Sequence, residues 1–428
     1  MNETVAMVGG NRQRLIGWAR SGVSTTGAQA AIQGLGFLAG VVIVRCLSPR
    51  EYAFYTIATA GLGTMTVLTD SGIGSSVLAL GGGVWQDRGR LGAVLATGIR
   101  LRRRFAHFAL ALALPIMIAL LLRQGASWTE AVMIAVSVVP LFLATVTGHL
   151  LEGVPRLHQT LKPLQLVQIA ANAARLILIV VLMPFWPLAV LASLLAALPQ
   201  WWANLRLRHM ADRRADWRTR DDPEVASRMV AQVRRTMPSA IYYALSGQLT
   251  VWLISVFGKT GNVAAIGALG RLAMILSVLG MVFGVLAIPR FARISAHEGA
   301  LIRRRYMQAQ LILIAVCCLP LAVLAVAPGP VLAILGSHYS GLQHEAVLMG
   351  VGSVASMVCG AAYTLGAARG IVAPAAITLP CSILLQILLI AILPLATVSG
   401  VIWVGILSAL GQWLVHLGYF EWRYRKLA

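Results

Sequence analysis

The sequence predicts an all-α integral membrane protein of about twelve transmembrane helices, divided six plus six by one basic stretch. Three features carry that expectation: a charge-poor composition, apolar runs of spanning length along the whole chain, and a regular alternation in where the basic residues fall. Of the 428 residues, 58% are hydrophobic and only 11% are charged, and the mean hydropathy is +0.80. A soluble domain carries about 25% charged residues, so this surface is not made for water. At about 20 residues per span, the chain holds roughly ten to fourteen spans and no second soluble domain.

Apolar runs fall at 24–45, 52–79, 105–122, 130–151, 163–184 and 187–205, and again at 239–257, 263–288, 308–327, 346–366, 371–395 and 398–420. Spans this apolar must be helices, because lipid offers no partner to an unpaired backbone group. The first holds Ser24, Thr25, Thr26, Gln29 and Gln33, and so belongs among other helices. Ahead of the third span, WQDRGRLGAVLATGIRLRRR at 85–104 reads as an amphipathic helix lying at the interface. The polar stretch 206–236 is too short for a catalytic insert. It reads as a cytoplasmic basic linker with some amphipathic helix, which sets an N-terminal unit 1–208, a linker 209–236 and a C-terminal unit 237–428. The connections on the other side, such as MPFWP at 183–187 and ATVSG at 396–400, are short.

Charge orients the spans. The N-terminal segment, the connections after spans 2, 4, 6, 8 and 10, and the C-terminal segment hold 29 of the 35 Arg and Lys residues. The opposite connections hold only Arg50, Arg123 and Lys259, with Arg45 at a boundary. By the positive-inside rule both termini are cytoplasmic. One missed helix would invert every later connection, so the pattern also supports the count. The net charge of +21 is thereby explained by topology and by contact with anionic membrane lipids, without nucleic acid. The five cysteines lie in or beside apolar runs without metal-ligand spacing and read as small apolar side chains. The first apolar run shows no processing site, so no cleavable signal is expected.

An ionisable group inside a span costs about 2.5 kcal/mol or more, so each is a candidate for function. Asp70 in span 2, Arg175 in span 5 and Arg271 in span 8 stand out. Gln165, Gln168, Asn172 and Arg175 follow one another at steps of three, four and three, one stripe of a helix. Thr26, Gln29, Gln33, Gly36 and Gly40 make another stripe in span 1, and Thr59, Gly63, Thr66 and Asp70 a third in span 2. Hydrogen bonding between packed helices accounts for many such small and polar residues. It accounts less well for the two arginines, which have no acid in their own spans; a pairing of Asp70 with Arg175 or with Arg271 is open. Two Arg against one Asp favours an anionic cargo, and guanidinium suits phosphate. His149 with Glu152, and Gln412 with His416, read as packed or interfacial groups rather than a proton relay. No phosphate loop, metalloprotease motif or nucleophile elbow is present, so neither catalysis nor a cofactor or metal is expected.

At spans 1 and 2, RCLSPREYAFYTIATAGLGTMTVLTDSGIGSSV (45–77) resembles bacterial polysaccharide transporters, in which an L-G/S-P-x-E-Y-G-x-Y turn precedes the second helix and D-x-G-x-G closes it. Ser48, Pro49, Glu51, Tyr52 and Tyr55 match the turn, Asp70, Gly72 and Gly74 match the close, and Ala53 departs from the usual glycine. EGVPRLHQTLKPLQLVQIAANAARLILIVVL (152–182) is similar to the family's fourth and fifth helices. In VAAIGALGRLAMILSVLGMVFGVLAIPRFAR (263–293), Arg271, Pro289 and Arg290 match its eighth, while Ala264 and Ile266 depart from it. The resemblance covers about residues 20 to 420. It implies the polysaccharide transporter (Wzx-type flippase) branch of the multidrug/oligosaccharidyl-lipid/polysaccharide exporter superfamily, built as two six-helix bundles around a central cavity.

That family carries an oligosaccharide repeat unit on undecaprenyl diphosphate across the bacterial cytoplasmic membrane for O-antigen, capsule or exopolysaccharide synthesis. The resemblance implies alternating access and a monomer working beside a polysaccharide polymerase and chain-length partners. Arg175 and Arg271 would then engage the diphosphate or acidic sugars. Gln29, Gln33, Gln168 and Asn172 would meet sugar hydroxyls, and Asp70 would serve gating or ion pairing. A cation-coupled multidrug exporter of the same superfamily is the second expectation, and a membrane glycan polymerase the third.

Overall fold

The computed structural model describes residues 26–216, 223–294 and 299–425. The expected basic N-terminus (Arg12, Arg14, Arg20), the centre of the linker and Lys426 lie outside the described residues. No strand occurs among the described residues. The first half of the chain forms α1 (Thr26–Cys46), α2 (Pro49–Asp70), α3 (Ile73–Gly82), α4 (Arg88–Arg123), α5 (Trp128–Leu151), α6 (Gly153–Leu157), α7 (Leu161–Leu182) and α8 (Ala189–Asp212). The second half forms α9 (Pro223–Gly247), α10 (Leu249–Phe257), α11 (Thr260–Ala292), α12 (Gly299–Val326), α13 (Pro328–Ala333), α14 (Gln343–Ala367), α15 (Ala375–Ile392) and α16 (Val398–Arg425).

Each expected span lies on one helix or on a helix pair. Among the described residues nine helices are long and apolar enough to cross a membrane, and a tenth span is the pair Met237–Gly247 and Leu249–Phe257, bent by 53°. The two remaining runs are α2 and α8, of 22 and 24 residues, whose polar residues lower their apolarity. The chain is a multi-pass membrane protein.

The helix ends follow from local chemistry. Ser48 caps α2 by accepting the Glu51 N–H, with Pro49 in the first turn, where its missing donor costs nothing. Ser127 and Glu130 form a reciprocal capping box at α5. Arg50 donates to both Glu130 carboxylate oxygens at 3.0 and 2.9 Å and to the Gly125 carbonyl. Glu51 accepts the Ala189 N–H at 2.8 Å, so adjacent residues at the head of α2 hold the heads of α5 and α8.

Two expectations are corrected. The second span is not one helix: Ser71 and Gly72 both take left-handed backbone angles, φ 32° and 89°, which end α2 and restart the chain as α3. Segment 85–104 is not a separate interfacial helix. Residues 88–104 are the first part of the continuous 36-residue α4, about 54 Å long, because its arginines keep their backbone donors and interrupt no helical hydrogen bond.

Packing gives the molecule two unlike ends, one basic (Gly82, Asp212, Ala292) and one opposite (Cys46, Arg123, Phe257). The largest apolar core runs across both halves towards the opposite end, joining Ile43, Ile57, Leu121 and Ile134 to Ile254, Val263, Leu269, Leu335 and Val401. At the basic end the cores separate. Ile73, Leu95, Leu151 and Leu207 pack with Met229 and Val233 of α9, while Phe291, Tyr306, Leu365 and Phe420 form another cluster. Polar contacts reinforce the joined end. Arg45 donates to the Ile334 and Ala333 carbonyls at 2.9 and 2.7 Å, and Arg123 to Val256 at 2.7 Å. Gln124 donates to Ser255 at 2.8 Å and accepts from Thr260 at 3.0 Å through its own carbonyl.

Candidate functional site

Between the halves lies a cavity of about 520 Å³, walled by α2, α5, α7 and α8 on one side and by Gln248, α10 and α11 on the other. Close approach makes the boundary: a Cβ on Gly267 of α11 would lie 2.1 Å from the Thr56 hydroxyl of α2, so only glycine lets these helices meet. Arg175 and Arg271, one from each half, both line this cavity, together with Asn172. The structure thus brings together the two cations singled out from separate spans.

Tyrosines hold them. The Arg175 guanidinium donates to the Tyr55 hydroxyl at 3.4 Å, and Arg271 Nε donates to the Tyr52 hydroxyl at 3.3 Å. The Arg271 guanidinium carbon also sits 5.8 Å from the Tyr55 ring centroid, within reach of a cation–π attraction. Tyr55 therefore touches both arginines. Tyr52 and Tyr55 appear in the sequence only as part of a turn motif. Their spacing of three, on one helix face, was the available signal for a shared task.

Among the described residues no carboxylate lines this cavity; its remaining polar wall is Tyr55, Thr56, Thr59, Thr145, Gln200 and Gln248. Arg175 Nε is buried without a hydrogen-bond partner. Two cations thus face a wall of neutral hydrogen-bond donors and acceptors.

Asp70 is elsewhere. It pairs with neither Arg175 nor Arg271: its carboxylate accepts from Arg102 of α4 and from the Gly74 N–H at 3.3 Å. Arg102 is only 4% exposed and also donates to the Val146 carbonyl of α5 at 2.8 Å. The continuity of α4 explains the correction, since it carries Arg102 into the bundle while Arg100, Arg103 and Arg104 stay exposed.

Asp70, Arg102, Gln29 and Gln168 line a second cavity of about 510 Å³, with His149, Glu152 and Arg156. Glu152 there accepts from Gln168 at 2.7 Å and Arg156 at 2.5 Å. Its charges balance, unlike those of the first cavity. The α7 stripe connects the two, with Gln168 facing the second and Asn172 and Arg175 the first; Asn172 donates back to the Gln168 carbonyl at 2.9 Å. Gln33 is half-buried on α1 and lines neither. Gln412 donates to the Tyr242 hydroxyl at 2.9 Å and His416 lies edge-on to Tyr363, which are packing contacts.

No family model matches the chain, and no curated protein does. Solved structures do match. The lipid II flippase MurJ in an inward closed conformation superposes with a TM-score of 0.73 at 9% identity, over 94% of this chain and 87% of that one. An inward-facing multidrug resistance MATE family transporter of the MOP superfamily gives 0.69 at 15% identity, over 92% and 95%. A MOP superfamily transporter from Pyrococcus furiosus, described as having a binding pocket of reverse polarity that suggests a different function, gives 0.61 at 13% identity, over 96% and 95%. The likeness is one of fold, shared with MurJ and with these MATE and MOP transporters.

Proposed function

We propose that this protein is a flippase that moves an undecaprenyl-diphosphate-linked oligosaccharide repeat unit across the bacterial cytoplasmic membrane by alternating access. The observation that carries the reading is the pair Arg175 and Arg271, contributed by opposite halves to one cavity in which no described carboxylate lines the wall. A cation inside a span without a counter-charge is costly, and a diphosphate would supply paired acceptors to both guanidinium groups. Asn172, Gln200, Gln248, Thr59 and Thr145 match the hydroxyls of the first sugars, and about 520 Å³ lies within the usual range of ligand sites.

The basic end is cytoplasmic on this reading, by the positive-inside rule. Separate cores at that end and a shared core at the other suit a molecule that loads from the cytoplasmic leaflet. The units 1–208 and 237–428 act as the two moving bodies and 209–236 as the cytoplasmic link. The protein works as a monomer, and a polymerase with its chain-length partners would consume the product. A cation-coupled drug exporter ranks second, because Asp70, the acid within a span, is held by Arg102 outside the central cavity. A glycan polymerase ranks third, on the short connections at the opposite end.

The test is export of surface glycan by an Arg175→Gln/Arg271→Gln variant at equal protein level. Export falls more than tenfold and lipid-linked repeat units accumulate. Wild-type export by the double variant ends the assignment.

A further inference from the structure

A second lipid-facing feature lies outside the central cavity, between α11 and α12. Two adjoining hollows of about 500 and 710 Å³ share Leu279 and Val316 in their walls, so they form one groove. Leu272, Leu279 and Leu286 recur at steps of seven along α11, and Ile312 and Leu319 keep the same step on α12. A step of seven returns close to the same helix face, so each wall is a straight apolar stripe.

The basic end of the groove is polar. Arg290 of α11 and Arg305 of α12 line it together with Gln308. Both arginines are exposed, and neither is ion-paired with a described residue. Arg305 donates to the Gln308 amide oxygen at 3.2 Å. Among the described residues no acid lines either hollow.

Length decides between occupants. From Leu272 to Arg290 is 18 residues of helix, about 27 Å, whereas the hydrocarbon core is about 30 Å thick and one leaflet about half of that. A diacyl lipid anchored at Arg290 and Arg305 would fill only the near half of such a groove. A chain that follows it to Leu272 has to pass the bilayer midplane.

We propose that the α11–α12 groove binds one long-chain isoprenoid phosphate, its phosphate between Arg290 and Arg305 and its chain along the apolar stripes past the midplane. The class of lipid rests on the flippase reading; the site, which shares no lining residue with the central cavity, does not. A carrier held there would dock at the cytoplasmic leaflet before its head group reaches the central cavity.

The experiment uses native mass spectrometry of the full chain in detergent, with undecaprenyl monophosphate as the probe and Arg175→Gln/Arg271→Gln as the background, so that the central cavity does not contribute. One lipid remains bound in that background. Adding Arg290→Gln/Arg305→Gln weakens it at least tenfold, and Leu279→Trp/Val316→Trp blocks it without changing the phosphate-binding arginines. Farnesyl phosphate, which keeps the phosphate and shortens the chain, binds at least tenfold more weakly. Loss of all binding in the Arg175→Gln/Arg271→Gln background overturns the groove site and leaves the central reading standing. Equal binding of farnesyl phosphate, equal displacement by phosphatidylglycerol, or indifference to Arg290→Gln/Arg305→Gln overturns it as well.

Discussion

Tyr55 is where the two candidate ligand-binding cations meet, through its hydroxyl for Arg175 and its ring for Arg271. Replacing Tyr55 with Phe keeps the ring and removes the acceptor. A long hydrogen bond to a charged group contributes about 1 kcal/mol, so Tyr55→Phe should weaken binding of the lipid-linked substrate about fivefold. A binding titration of purified protein reads this directly, and an unchanged affinity would show that Arg175 does not need the tyrosine. The Asp70–Arg102 pair gives a second prediction, because its members are unequally buried, with side chains 40% and 4% exposed. Asp70→Asn leaves a deeply buried cation without a counter-charge, with the Val146 carbonyl still accepting from it, and should cost roughly 3 kcal/mol of stability. Arg102→Met leaves a partly solvated carboxylate and should cost less. Thermal unfolding in detergent that reversed this order would show that the pair is not the dominant partner of Arg102. These residues also mark what sequence could tell. Arg175 and Arg271 were legible because each is a lone charge in an apolar run. Arg102 was not, because it stands among Arg100, Arg103 and Arg104, and hydropathy does not resolve which of four neighbouring arginines faces inward.

Helices α2 and α11 cross where the halves join, and the crossing rests on Gly267 against Thr56. An added methyl there has to push the helices apart or displace the threonine. Gly267→Ala should therefore reduce transport severalfold with the protein still made, and Thr56→Ala should restore part of it, as contacting residues couple by about 0.5–3 kcal/mol. Strictly additive losses in the double variant would mean that the two helices do not press on each other at this point. The break between α2 and α3 belongs to the same scale. The D-x-G-x-G motif was visible, yet the apolar run continues through it, so hydropathy alone extends the span to residue 79. What ends the helix is backbone geometry at Ser71 and Gly72, reinforced by the Asp70 carboxylate accepting the Gly74 N–H. The opposite error occurred at α4, where arginines looked like the end of a membrane span although they interrupt no backbone hydrogen bond.

For the whole molecule, the decisive asymmetry is that one core joins the halves at one end, while at the other the packing divides into two clusters, with α9 lying against the first half. Charge alternation along the sequence supplied the two ends, because each connection carries its own sign of evidence. Which end is sealed depends on contacts between residues far apart in the chain, and no local pattern reports those. The seal combines apolar packing with the Arg45, Arg123 and Gln124 contacts to carbonyls of the second half. At about 1 kcal/mol for each hydrogen bond, removing the Arg123 and Gln124 side chains takes away enough to change the population of a state open on that side by tenfold or more. A cysteine at Thr145, in the wall of the central cavity, reports the change once Cys46, Cys317, Cys318, Cys359 and Cys381 are replaced. A membrane-impermeant maleimide applied from the side proposed as periplasmic should label Thr145→Cys slowly in the parent. It should label it at least several-fold faster in Arg123→Ala/Gln124→Ala. Equal rates in the two proteins would place the barrier in the apolar core around Ile254 and Leu269, and the polar contacts would then only decorate a seal that packing makes by itself.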